Sequence, residues 1–150
     1  MHVSSYLTLS NELRRLVESR LENALRGIEE TVQHVFEHQQ VDFDDLKEII
    51  QGLEESFNLL SQKWNLQILY TLFLRKSAGF GELKRILGVN SRTLSDKLKL
   101  LNDYGYIERT VESGPPLRVK YDLTLKGRNT TLLALPFLYY SSGNLTHEQH

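Results

Sequence analysis

The sequence has no cysteine, which removes disulfides, thiolate metal sites and cysteine nucleophiles together. It also has no long apolar run. The longest, residues 132–140, is nine residues and contains Pro136, where a bilayer-spanning helix needs about 20. That run reads as a core or interface helix and excludes a membrane partner. The first fifteen residues have neither a basic start nor an uninterrupted apolar stretch, so no secretory signal is visible and a cytoplasmic address is expected. Net charge is nearly absent as well, with 18 Lys and Arg against 19 Asp and Glu. A length of 150 residues allows one ordinary domain, or a small domain with a sizeable appendage, and excludes a large two-domain enzyme. Low-complexity tracts are missing, and 40% hydrophobic with 25% charged residues is the composition of a folded chain.

The near-zero charge conceals a segregation. Residues 1–60 carry 5 basic and 12 acidic side chains, whereas residues 61–130 carry 13 and 6. Electrostatic screening acts over about 8 Å at physiological salt, so the two parts do not cancel for a phosphate close to one of them.

In the acidic part, Leu13, Val17, Leu21, Ala24, Ile28, Val32 and Val35 recur in steps of three or four, the period of a long amphipathic helix. Ser10 or Asn11 can cap its start. Asp42 is placed to cap a second helix, in which Leu46, Ile50, Leu53, Phe57 and Leu60 are spaced 4, 3, 4, 3, the seam of a coiled coil or helical hairpin. Stripes this long must be covered, either against each other or by a second subunit.

From Trp64 onward the elements shorten. Trp64, Ile68, Leu69, Leu72 and Phe73 predict a helix ending near residues 77–79, where Gly79 permits a left-handed cap. A short helix over residues 81–87 is expected to turn Leu83, Ile86 and Leu87 inward. Gly88-Val89-Asn90-Ser91 is a tight turn with an N-cap. A helix over residues 91–103 buries Leu94, Leu98 and Leu101, and Gly105 ends it. Residues 106–112 and 117–124, rich in Val, Tyr and Thr around Ser113-Gly114-Pro115-Pro116, form a two-stranded hairpin. A last helix starts near Leu125 and carries Leu132, Leu133, Leu135, Phe137 and Leu138.

Three helices with a tight turn before the third, followed at once by a hairpin, make a winged helix-turn-helix. The fold class is therefore mainly α with a small β-hairpin wing, plus an N-terminal helical hairpin or coiled coil and a C-terminal helix. With its leucines inward, the third helix offers Ser91, Arg92, Ser95 and Lys99, with Thr93 and Lys97 at the flank. Guanidinium can bond guanine bidentately in a major groove, and hydroxyls reach bases or phosphates. Arg109, Arg118 and Lys120 on the hairpin suit phosphate or a narrow minor groove, and Lys84 and Arg85 on the preceding helix suit backbone phosphates. Asp96 and Asp103 lie on the same face of the third helix. They either read cytosine amino groups or confine the footprint to the first turn and a half, and the confined footprint is the expectation.

The stretches LSQKWNLQILYTLF, GFGELKRILGVNSRTLSDKLKLLNDYGYIERTV and PPLRVKYDLTLKGR resemble the HxlR-type winged-helix regulators of the MarR-like group, over about residues 61–130. Lys63-Trp64, Phe80 before Leu83, Ser91 with Leu94 to Leu98, Gly105-Tyr106-Ile107, Pro115-Pro116, and Tyr121, Leu123 and Thr124 before Lys126-Gly127 match in order. The resemblance implies a homodimeric transcription factor that places its third helix in the major groove of double-stranded DNA and dimerises through terminal helices. Many such proteins carry a cysteine near the N-terminus as a redox sensor. This chain has none and adds about sixty residues of acidic helix.

Exposed charge is the ordinary condition of a helix surface, and only the winged context turns Lys84, Arg85, Arg92, Lys97 and Lys99 into an interface. Trp64 and Phe80 are core aromatics, while Phe137, Tyr139 and Tyr140 are expected dimer contacts. His34-Val35-Phe36-Glu37-His38 fits H-x-x-E-H, the inverted zinc-peptidase pattern. Catalysis there would need a third ligand and a cleft, and Val35 and Phe36 belong to the apolar stripe. The histidines are therefore taken as exposed helix-end residues, and no catalytic residue, metal site or cofactor is assigned. The organisation expected is a dimerising or partner-binding helical segment over residues 1–60, the DNA-binding winged domain over residues 61–130, and a dimer-contacting helix and tail over residues 131–150. A second reading is a winged-helix interaction module that binds a protein partner through its acidic helices.

Overall fold

A computed structural model describes residues 10–141. The tail beyond them, including the end of the expected dimer-contacting segment, and the side chain of Tyr139 lie outside the described residues. Along the chain run α1 (Asn11–Gln39), α2 (Phe43–Ser61), α3 (Asn65–Arg75), β1 (Ser77–Gly79), α4 (Phe80–Leu87), α5 (Ser91–Asp103), β2 (Ile107–Glu112), β3 (Arg118–Leu123) and α6 (Leu125–Ser141). Leu53–Leu138 forms one compact unit, and residues 10–52 with residues 139–141 belong to another.

The long helix α1 follows its 3.6-residue period throughout. Ser10 caps it, its hydroxyl accepting from the Leu13 N–H at 3.3 Å, and the chain leaves through Gln40 in the left-handed region at φ 47°. Two residues later Asp42 begins a reciprocal pair with Asp45. The Asp45 N–H donates to Asp42 Oδ1 at 2.9 Å, and the Asp42 N–H to Asp45 Oδ2 at 3.2 Å. This satisfies two backbone donors at the start of α2 in the manner of a capping box, with acid at the positive end of the helix dipole. No residue of α1 is buried. Leu13 and Ile28 of the stripe remain 51% and 50% exposed, as does the seam of α2 at Ile50, Leu53 and Phe57.

The core belongs to the other unit. Ile68, Leu69 and Leu72 of α3, Leu83 of α4, Val89, and Leu94, Leu98 and Leu101 of α5 are buried together with Leu59, Ala78, Tyr106, Ile107 and Tyr121. Each such leucine withdrawn from water contributes about 1.5–3 kcal/mol, so the helix-turn-helix is held from its inner faces and leaves its outer faces to solvent.

Several expectations are corrected. The glycine-capped helix end is instead Arg75, and Lys76, not Gly79, takes the left-handed backbone at φ 69°. Ser77–Gly79 is a strand paired antiparallel with β3, Ala78 opposite Tyr121, so the two-stranded hairpin is part of a three-stranded sheet of order β1-β3-β2. Trp64 is not on the helical face of α3. It precedes the helix at φ 81°, and the adjacent Asn65 is fully buried, its Nδ2 donating to the Leu59 carbonyl at 2.7 Å. Ile86 points outward, 42% exposed, because an eight-residue helix buries only one narrow stripe, centred on Leu83.

One joint fixes the end of α5. Gly105 lies at φ 79°. Its N–H donates to Asn102 O at 3.0 Å, and the Tyr106 N–H to Leu101 O at 2.9 Å, the pair of bonds that terminates a helix through a left-handed glycine. Thr124 then bonds three ways: its N–H to Tyr106 O, its hydroxyl to Gly105 O, and its Oγ1 accepting from the Gly127 N–H. Lys126 donates to Tyr104 O at 2.7 Å and sits 4.4 Å from the Tyr106 ring centroid. A Cβ on Gly127 would overlap the Tyr106 carbonyl, with its carbon at 2.9 Å, a clash with backbone that cannot turn aside. Gly127→Ala should therefore destabilise the fold by at least about 3 kcal/mol, measured by urea unfolding. Gly81→Ala, whose Cβ would meet nothing within 4 Å, is the control and should stay within about 1 kcal/mol.

Candidate nucleic-acid interface

The turn between α4 and α5 is built by two residues. Gly88 accepts the left-handed backbone at φ 66° and closes α4 with an N–H bond to Lys84 O. Asn90 then opens α5, its side chain accepting from the Thr93 N–H at 2.8 Å. With Leu94, Leu98 and Leu101 buried, Ser91, Arg92, Ser95, Asp96 and Lys99 are exposed on α5, as are Lys84 and Arg85 on α4. These residues are presented to solvent as the period implies. Thr93 and Lys97 at the flank are half-buried, and the Lys97 ammonium donates to Gln62 Oε1 at 3.0 Å. Lys97 thus ties α5 to the segment between α2 and α3.

The sheet register divides the wing. Arg109 is opposite Tyr121, whereas Glu112 is opposite Arg118 and Thr110 opposite Lys120. Side chains alternate along a strand, so Arg118 and Lys120 share one face with Glu112, and Arg109 lies on the other. Arg109 and Arg118 are exposed. The Lys120 ammonium is 2.8 Å from the Glu112 carboxylate, and the hydrogen bond from Lys120, then its charge and that of Arg118, hold the Glu112 carboxyl below its ordinary range. The three basic residues of the hairpin are therefore not one patch: Arg118 and Lys120 are together, Lys120 is paired, and Arg109 is apart.

Elsewhere, His34 and His38 lie with ring centroids 4.0 Å apart, and His38 Nδ1–H donates to the His34 carbonyl at 2.9 Å. Among the described residues no three His, Asp or Glu side chains gather as metal ligands. Trp64 and Phe80 are half-buried against the core, consistent with a packing role. Gln62 and Glu112 were missed in the sequence. Nothing local marks Gln62, 35 residues from its partner, but pairing the hairpin around its Gly-Pro-Pro turn would have brought Glu112 near Lys120.

The Glu112–Lys120 pair has a definite pH dependence. A carboxyl whose folded pKa is depressed stabilises the fold above its unfolded pKa, near the ordinary 4.5, and that contribution is lost as pH falls through the lower folded value. Lys120→Met should move the Glu112 titration upward toward the ordinary value, observed by NMR of the side-chain carboxyl. An unmoved titration would refute the pairing.

No helix among the described residues is long and apolar enough to cross a membrane. The chain matches the family model of HxlR-like helix-turn-helix proteins over residues 59–145. It is similar to YdzF, an uncharacterized HTH-type transcriptional regulator of Bacillus subtilis, with 39% identity over 77 residues that cover 51% of this chain and 71% of that protein. Two solved structures have the same fold. A MarR-family transcriptional regulator from Enterococcus faecalis superposes with a TM-score of 0.58 at 25% identity, covering 73% of this chain and 93% of that one. The reduced form of the transcriptional regulator YodB from Bacillus subtilis gives 0.54 at 28% identity, covering 66% and 95%. With a helix-turn-helix whose outer face is free and a family match over more than half its length, this chain belongs to the HxlR-like helix-turn-helix family and is a transcriptional regulator with a DNA-binding domain, not an enzyme.

Proposed function

We propose that the chain binds double-stranded DNA sequence-specifically as a homodimer on a roughly palindromic site, with α5 in the major groove and the β2–β3 wing on the backbone or in the minor groove. The observation that carries the reading is the outward face of α5. Arg92, Ser95 and Lys99 are exposed on a helix whose inner face is fully buried, so its position is fixed before any ligand arrives. Arg92 reads a base, Arg118, Lys84 and Arg85 contact phosphates, and Arg109, on the opposite face of the wing, meets a phosphate across the minor groove. Lys97 and Lys120, each with a partner inside the chain, contribute less.

Dimerisation is supported by apolar surface left in water. Leu13, Leu16, Ile28 and Val32 on α1, Ile50, Leu53 and Phe57 on α2, and Leu133, Phe137 and Tyr140 on α6 are all exposed. Stripes of this extent call for a second chain. In such a dimer the two α5 helices enter successive major grooves about 34–36 Å apart.

Three measurements test this. Neutralising six to eight phosphates per dimer gives a slope of roughly −5 to −7 in log affinity against log salt. Arg92→Ala should lower the ratio of cognate to scrambled affinity by about 5- to 100-fold, whereas Arg118→Ala should weaken both alike and reduce the salt slope by about 1. An unchanged ratio for Arg92→Ala removes its reading role. Light scattering should give twice the 17.4 kDa of one chain, and Ile28→Asp with Val32→Asp should give one. A wild-type monomer would assign the α1 stripe to a different protein partner.

A further inference from the structure

We infer that Asp96 is a specificity-determining residue that accepts a hydrogen bond from the 4-amino group of a cytosine in the major groove. This rests on the docking of α5 proposed above. Asp96 is two residues past Leu94 and two before Leu98, both buried. At about 100° per residue it stands on the side of α5 directly away from the core, exposed. Arg92 lies one turn before it and Lys99 one turn after, so the three make one outward line with the carboxylate in the middle. Asp96 stands where the first turn and a half of the helix ends, and Asp103, the last residue of α5, about two turns beyond it; reading by Asp96 therefore replaces the footprint confined short of both.

That position imposes a chemical requirement. An ionised carboxylate only accepts hydrogen bonds, and the phosphates on both walls of the groove repel it. It is tolerated against a base edge only where that edge donates. Guanine offers N7 and O6 and thymine offers O4, all acceptors, whereas cytosine offers its 4-amino group as a donor with C5–H, and no acceptor, on its outer side. Adenine donates too, but its N7 acceptor sits beside the amino group and repels the second carboxylate oxygen. The adjacent Arg92 has the complementary preference, five donors and no acceptor, and so favours guanine. Arg92 and Asp96 together select a guanine and a cytosine on neighbouring positions of each half-site, one by attraction and the other largely by rejecting alternatives.

The test begins with selection of duplexes from a randomised pool by the full-length wild-type chain. Affinities of wild type, Asp96→Ala and Asp96→Asn are then measured on the best site and on every single base-pair substitution of it. Wild type should prefer C·G at one position per half-site by about 5- to 20-fold, the low end of a direct base contact. Asp96→Ala should lose that preference while binding scrambled DNA a few-fold more tightly, because a like charge has left the phosphates. Asp96→Asn, with a donor and an acceptor side by side, should shift the preference toward adenine. Replacing the selected cytosine with 2-pyrimidinone, which lacks the 4-amino group, should weaken wild type more than Asp96→Ala, and the difference isolates the contact. If Asp96→Ala keeps the full base preferences of wild type, Asp96 does not read DNA and the inference is overturned while the docking stands. If wild type selects no site at all, both fall.

Discussion

Among the described glycines the tightest approach is that of Gly127 to the Tyr106 carbonyl. No side chain fits between them, and Thr124 bonds to both sides of the gap. Through this joint the end of α5, the start of β2, the end of β3 and the start of α6 are held as one piece. A recognition helix is useful only if its outer side chains stand at a fixed angle to the wing. Here that angle follows from backbone hydrogen bonds and one missing methyl group, with the leucine core supplying cohesion behind them. Lys126 reinforces the same place by reaching back to Tyr104 O. The turn Gly105-Tyr106 and the sequence Thr124-Leu125-Lys126-Gly127 are thus two halves of one device, nearly twenty residues apart in the chain.

Charge is handled at two scales. Across the chain, acid and base are separated into the first sixty residues and the next seventy. Within the basic part a further selection operates. Lys120 is paired with Glu112 and Lys97 is bonded to Gln62, while Arg92, Lys99, Arg109 and Arg118 remain exposed. Counting basic residues therefore overstates the available field. Lys97 illustrates the trade: its stem is half-buried and its head is bound to a neighbouring segment, so it contributes to the setting of α5 more than to the surface α5 presents.

Much of this was legible in the sequence because it is periodic. The stripe from Leu13 to Val35 specified α1 and the Leu94, Leu98, Leu101 spacing specified α5, since repetition over several turns is a strong signal. The outward residues of α5 followed directly from the inward ones. What escaped was decided by distant partners. Ser77-Ala78-Gly79 has no preference for extended structure, and β3 draws it into a strand by pairing across more than forty residues. Lys76 and Trp64 take left-handed backbones that neither residue type advertises, because tertiary packing overrides local preference. Ile86 misled for a different reason: in a helix of two turns the apolar period is too short to tell a buried position from its neighbour. In the site, Arg92 and Ser95 were legible from helical spacing alone, whereas the pairing of Lys120 needed the register of a hairpin and that of Lys97 needed the whole fold.

The polarity of α5 decides how it approaches a duplex in the proposed docking. Its N-terminus carries the positive end of the helix dipole, the exposed Ser91 and Arg92, and a turn held by Asn90. Its C-terminus carries the negative end together with exposed Asp103, and the chain there turns away through Gly105 into β2. Phosphates attract the first end and repel the second, so the helix enters the groove with its first turns and lifts its last turn clear. An end-on approach of this kind leaves Asp96 as the deepest acidic group and Lys99 as the first basic group beyond it, on the side where the groove wall returns. In that proposed docking the joint at Gly127, bonded to the turn that follows α5, would lie at the end lifted clear, where its rigidity would set the angle of approach without touching DNA.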